Sequence, residues 1–143
     1  MIFAILIALV LVATTVAIHA VGLAALLRAV ARPEVLSAQR VWAVAWLLIR
    51  IAWALVLIHV LEICVWAAFY LAWGCLPDAE SAFYFSGVTY TGIGYGDLVL
   101  PTPWRMLAPV EGLTGILMCG LSTGLFFAVV SRIYAARAKT EPR

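Results

Sequence analysis

Three apolar stretches, Ile2 to Leu27, Val41 to Trp73 and about Trp104 to Ala136, constrain this chain more than any other feature. Each exceeds the ~20 residues that carry an α-helix across a bilayer. Of the 143 residues, 66% are hydrophobic and 11% charged, against about 25% charged in an ordinary soluble domain. Lipid is the expected solvent, and an all-α membrane protein the expected fold class. A cleaved leader wants a positive charge ahead of the first apolar run, and only Met1 precedes it, so residues 1–32 read as a retained first helix.

Arg32-Pro33 ends that helix, because proline disfavours the α region for the residue before it. Residues 33–40 read as a short inner link. In the second stretch, Trp42 and Trp46 at one end and Trp66, Tyr70 and Trp73 at the other are placed as two interfacial aromatic belts. The span from Trp46 to Trp66 is about 30 Å at 1.5 Å per residue, the thickness of the hydrocarbon core. Pro77-Asp78 opens a different kind of segment. Ala79 to Tyr90 is too short to cross, and Asp78 and Glu80 near its start suit the positive end of a helix dipole. A re-entrant helix over 79–90 fits. Thr102 followed by Pro103 offers an N-cap and a first helical position for the last span, while Pro109 either kinks that helix or marks its true start.

Charge sets the expected orientation. The segment from Cys75 to Trp104 carries Asp78, Glu80 and Asp97 and neither Lys nor Arg. The two inner segments carry Arg28, Arg32, Arg40, Arg132, Arg137, Lys139 and Arg143. By the positive-inside bias the acidic segment lies outside. The N-terminus is then outside, and the short basic tail, residues 137–143, is cytoplasmic. No basic patch carries interleaved aromatics, which sets nucleic acid aside. Cys64, Cys75 and Cys119 are odd in number and widely spaced, so they read as free thiols, with Cys75 near the outer surface.

The stretch that gives the spans a purpose is Thr91-Gly92-Ile93-Gly94-Tyr95-Gly96-Asp97. Glycines at alternate positions accept left-handed backbone angles that a side chain resists, which lets successive carbonyls turn to one side. Such acceptors need partners, and a dehydrated monovalent cation supplies them. Together with Phe83 to Tyr90, this run resembles the pore helix and selectivity filter of tetrameric potassium channels, the family in which carbonyl rings replace the hydration shell of K⁺. The family pattern Thr-Thr-(Val/Ile)-Gly-Tyr-Gly-Asp matches at six of seven positions, Gly92 replacing the second threonine.

The resemblance covers about Val41 to the C-terminus and implies a homotetramer in which an outer helix (41–73), pore helix (79–90), filter (91–96) and inner helix (104–136) surround one pore. It implies K⁺ held by carbonyls of Thr91, Gly92, Ile93, Gly94 and Tyr95, with Gly96 completing the filter. Asp97 matches the acid at the filter mouth, and Tyr84 the pore-helix position that can donate to it. Val88 stands where some members carry a glutamate, which leaves Asp97 to lean on Tyr84. Glu111 is expected to accept from Ser86 or Thr89 and to brace the filter from behind. Ile116, Cys119 and Thr123 share one helix face, which the alignment turns toward the cavity, and Gly115 falls at the family's hinge. Gly112, Gly120 and Gly124 also suit close packing between helices, Gly120 and Gly124 above all. His59 and Glu62, at i and i+3, are expected to pair, with His19 joining from the first helix.

The implied activity is passive, potassium-selective conduction in the plasma membrane (in a bacterium, the inner membrane), with lipid, monovalent cations and three further copies as partners. No catalytic arrangement, cofactor box or phosphate loop points to an enzyme. Two other readings stand beside it: a nonselective monovalent cation channel, because of Gly92, and a non-conducting modulatory subunit.

Overall fold

The computed structural model describes residues 2–30 and 41–138. The link read at 33–40, the last residues of the basic tail (139–143) and the ends of the 1–32 segment at 1 and 31–32 lie outside the described residues. Within them the chain is helical, with no strand: α1 (Ile2–Val30), α2 (Val41–Ala72), α3 (Ala79–Tyr90), a 3₁₀ turn (Thr102–Trp104) and α4 (Leu107–Ala138). Three helical segments, α1, α2 and Thr102–Ala135, are long and apolar enough to cross a membrane. This is a multi-pass integral membrane protein.

Each element ends for a local reason. Gly74, at φ 63°, closes α2. Its N–H donates to the Leu71 carbonyl at 3.1 Å, and Cys75 N–H to the Tyr70 carbonyl at 2.8 Å, the paired bonds of a Schellman cap. Asp78 caps α3, accepting from Ser81 N–H at 2.7 Å and from the Ser81 hydroxyl at 3.0 Å. The last span starts differently from the sequence expectation. Thr102 is not its cap: Pro101 precedes the 3₁₀ turn, with no side-chain cap, and Trp104 N–H reaches the Pro101 carbonyl at 2.8 Å. The α-helix then begins at Leu107. Pro109 falls in its first turn, where no i−4 carbonyl awaits an N–H, so it marks the start.

Two apolar clusters form the interior. One joins α1, α2, α3 and the head of α4 through Leu11, Trp66, Tyr70, Phe85 and Leu107. The other, at the opposite end, packs Val30, Ile51 and Leu55 against Val129 and Ile133. Trp66 and Tyr70 are fully buried, which corrects their placement in a lipid-facing belt. Trp66 spends its indole N–H on the Thr15 hydroxyl of α1 at 3.0 Å. Trp42, Trp46 and Trp73 are exposed. Phe69 stacks on Trp73 at 5.0 Å and meets Trp104 edge-on at 5.5 Å, fastening the head of the last span to the end of α2.

Glycines set how closely α4 approaches α3. A Cβ at Gly115 would lie 2.0 Å from the Tyr90 carbonyl oxygen, and one at Gly112 3.3 Å from that of Thr89. Gly120 and Gly124 meet nothing within 4 Å in their own chain. Within the chain the close approach is therefore made at Gly112, one of the three glycines the sequence offers for packing, and at Gly115, rather than at Gly120 and Gly124. Backbone cannot give way as a flexible side chain does, so Gly115→Ala is expected to destabilise the fold by about 1–3 kcal/mol, read from denaturant unfolding in micelles. An equal loss in Gly120→Ala would show that this contact is not the cause.

Candidate functional site

The short helix α3 ends where the glycine run begins, and the run itself completes the helix. Thr91 N–H donates to the Gly87 carbonyl at 3.1 Å, and Gly92 N–H to that of Thr89 at 3.0 Å. Gly94 N–H returns to the Val88 carbonyl at 3.1 Å. The Thr91 hydroxyl donates to Gly87 O at 2.7 Å. The Gly87, Val88 and Thr89 carbonyls, orphans in most helices, are thus occupied by the segment that leaves them. Gly92, Gly94 and Gly96 stand at φ 75°, 57° and 77°. At Gly92 this angle resists the threonine of the family pattern, at about 1–2 kcal/mol for an L-residue held there. Ile116 reaches this foot of the run, its Cδ1 3.8 Å from where a Gly92 Cβ would stand.

The run is bare on its own chain. Every residue from Thr91 to Asp97 is exposed, Tyr95 at 71% and Ile93 at 57%. Behind it lies a groove of about 550 Å³ lined by Val88, Thr89, Gly92, Gly94 and Gly112 among others. Ile116, Cys119 and Thr123 are exposed along α4. Cys75 is buried, while Cys64 is exposed, and all three cysteines are free.

At the far end of the run, the Tyr84 hydroxyl donates to Asp97 Oδ2 at 2.7 Å. That bond, with help from the Asp97 and Leu98 backbone N–H groups, holds the Asp97 carboxyl below the usual carboxylate range. Val88 adds no side-chain bond to this pair, and serves through its carbonyl.

Two buried carboxylates grip α3 from behind. Glu111 accepts from the Ser86 hydroxyl at 2.5 Å and from Tyr70 at 2.7 Å. Thr89, the other partner expected for it, makes no such bond; Tyr70 takes that place, contributed by α2. Ser86 also stands 3.0 Å from the Ile63 carbonyl, so its single proton has two acceptors. Glu62 accepts from His19 Nδ1 at 2.9 Å and from the Tyr90 hydroxyl. His59 lies between, 3.3 Å from Glu62 Oε2, 3.0 Å from the Tyr90 hydroxyl and 3.0 Å from the Ser122 hydroxyl. The sequence pairs the histidines with Glu62 correctly but gives no sign of Tyr90 or Ser122, which enter from α3 and α4.

This frame, a short half-buried helix leading into an exposed glycine run between two spans, is the part the comparisons address. A family model described as "Ion channel" matches residues 58–132, just over half of the 143 residues. The chain belongs to the potassium-channel pore-domain family. The match begins within α2 and takes in α3, the run and most of α4; α1 lies before it. Comparison with curated proteins and with solved structures finds no match. Membership of an ion-channel family points to a channel rather than an enzyme.

Two outcomes follow. Glu111→Ala leaves the Tyr70 hydroxyl buried without an acceptor, while Ser86 falls back on Ile63 O. The expected loss is about 1–3 kcal/mol for the hydroxyl, with a further loss for the cavity, and Glu111→Gln should lose less; unfolding in micelles reads both. Asp97 has a lowered pKa, so its charged form persists as pH falls through the ordinary aspartate value of about 3.9 and is lost only as pH drops through the lower folded value. Cation flux titrated from the Asp97 side should stay level through the ordinary value and drop below it. In Tyr84→Phe the drop should move toward higher pH; an unmoved titration would exclude the Tyr84 bond as its cause.

Proposed function

We propose that this protein is a passive potassium-selective channel made of four copies around one axis. One observation carries the reading: three alternate glycines, all at left-handed φ, continue directly from a helix too short to span. In this reading the carbonyls of Thr91, Gly92, Ile93, Gly94 and Tyr95 stand in for the water shell of K⁺. No cofactor takes part, and the potassium ions are themselves the cargo. One copy cannot enclose an axis, and the bareness of Tyr95, Ile93 and the Ile116–Cys119–Thr123 face supports neighbours that cover them. Tyr84, Val88, Thr89, Asp97 and Glu111 hold the filter in place, while Ile116, Cys119 and Thr123 line the inner cavity. Gly115 serves as a contact point against Tyr90 as well as at the hinge position.

The orientation follows from charge. Arg28 and Arg132 lie near the Val30–Ile133 end, and Asp78 and Asp97 toward the other. Under the positive-inside bias this supports a filter at the outer face of the plasma membrane, with the N-terminus outside and the C-terminus in the cytoplasm. The second reading, a nonselective cation channel, rests on Gly92. It removes the hydroxyl that the family adds at the innermost ion site.

Proteoliposomes holding only this protein, loaded with K⁺ and diluted into Na⁺, separate the readings. Potassium-driven dye uptake blocked by barium, with no uptake from the reverse sodium gradient, is the expected result. Equal uptake from either gradient would assign the nonselective reading. Absence of flux from protein shown to be tetrameric would leave a closed gate or a non-conducting subunit.

A further inference from the structure

Away from the filter, three ligand-bearing side chains converge inside the helix bundle. His19 comes from α1, and His59 and Glu62 from adjacent turns of α2; one ligand atom from each lies within 4.8 Å of the others. We propose that these three residues form a binding site for a divalent transition cation of the zinc class, with the Tyr90 hydroxyl as a fourth donor in reach.

The donor set selects the class of ion. Two imidazoles and one carboxylate suit zinc and its neighbours, whereas calcium and magnesium call for oxygen throughout. The spacing suits it as well. A tetrahedron with bonds of about 2.0–2.1 Å has edges of about 3.3–3.4 Å. His59 Nδ1 to Glu62 Oε2, at 3.3 Å, matches such an edge, and His19 Nδ1, hydrogen-bonded to the other carboxylate oxygen at 2.9 Å, would exchange that bond for the ion. The surroundings are those of a supported ligand. His59 Nε2 lies 3.0 Å from the Ser122 hydroxyl, and an outer partner of this kind fixes a ligating imidazole in tautomer and direction. His19 is 1% exposed, so its Nδ1 meets the cluster away from water. The site has a door: His59 is 18% exposed, while His19 and Glu62 are closed off.

An ion here would tie α1 and α2 to Tyr90, the residue before the filter. It is distinct from the permeating ion, which is monovalent and held by carbonyls, and it does not depend on potassium selectivity.

The test uses the full chain, purified in detergent, stripped with a chelator and titrated with Co²⁺. One equivalent per chain, with the intense visible bands of tetrahedral Co²⁺ and no thiolate-to-cobalt charge transfer, is expected. Added Zn²⁺ should bleach the bands and raise the unfolding temperature. His19→Ala and Glu62→Ala should lose the bands. Ser122→Ala keeps all three ligands, so it should keep the spectrum but bind about 10–100-fold more weakly. A wild-type protein without visible bands would overturn the proposal. So would thiolate charge transfer, which would assign the cobalt to Cys64 or Cys119. Bands that survive in the His19→Ala/His59→Ala double variant, or an unchanged affinity in Ser122→Ala, would overturn the site as drawn.

Discussion

A twelve-residue helix is too short to be stable alone, and α3 also carries buried polar groups that are costly to leave unpaired. The placement of the glycine run therefore depends on how α3 is held. Two carboxylates with no exposed surface hold it, Glu111 at Ser86 and Glu62 at Tyr90. Each also bonds a neighbouring helix: Glu111 takes the Tyr70 hydroxyl of α2, and Glu62 takes His19 of α1. In lipid, apolar side chains gain little by turning from a hydrocarbon tail to a hydrocarbon neighbour, so packing and hydrogen bonds must fix the arrangement. These bonds supply the direction that hydrophobicity alone does not.

The parts legible in the sequence are those written in local chemistry. The spans follow from apolar length, the start of α3 from Asp78, and the left-handed run from glycine at every second position. The Tyr84–Asp97 bond was legible only through the resemblance, because its partners lie thirteen residues apart and on different elements. Other features were hidden for a physical reason. A helix apolar on all sides carries no stripe to mark its inner face, so Trp66 and Tyr70 look the same in sequence as Trp42 and Trp73, though only the first two are interior. The same blindness covers the small residues. Gly112, Gly115, Gly120 and Gly124 are alike as letters, and only the path of α3 decides that the first two receive its backbone.

The aromatic head of the bundle shows how the loop beyond the glycine run is managed. The 3₁₀ turn holds Trp104 between Phe69 and Phe3, and Arg105 Nε donates to the Leu100 carbonyl at 3.2 Å. The return from the run is thus pinned on both sides before α4 begins. Asp97 stands at the free end of an otherwise fastened strap, with Tyr84 as its tie to α3.

The bonds that Thr15 and His19 make to α2 bear on how this architecture is put together. A minimal pore has two spans, and α1 lies outside the matched region, which invites a picture of a detachable accessory. Its polar contacts argue otherwise. The Trp66 indole and the Glu62 carboxylate are addressed to specific atoms of α1, and no lipid tail can answer them. The first span is therefore keyed to the two that follow it: a chimera that grafts a foreign leading helix onto them should carry Thr15 and His19 with it, or rewrite Trp66 and Glu62 at the same time.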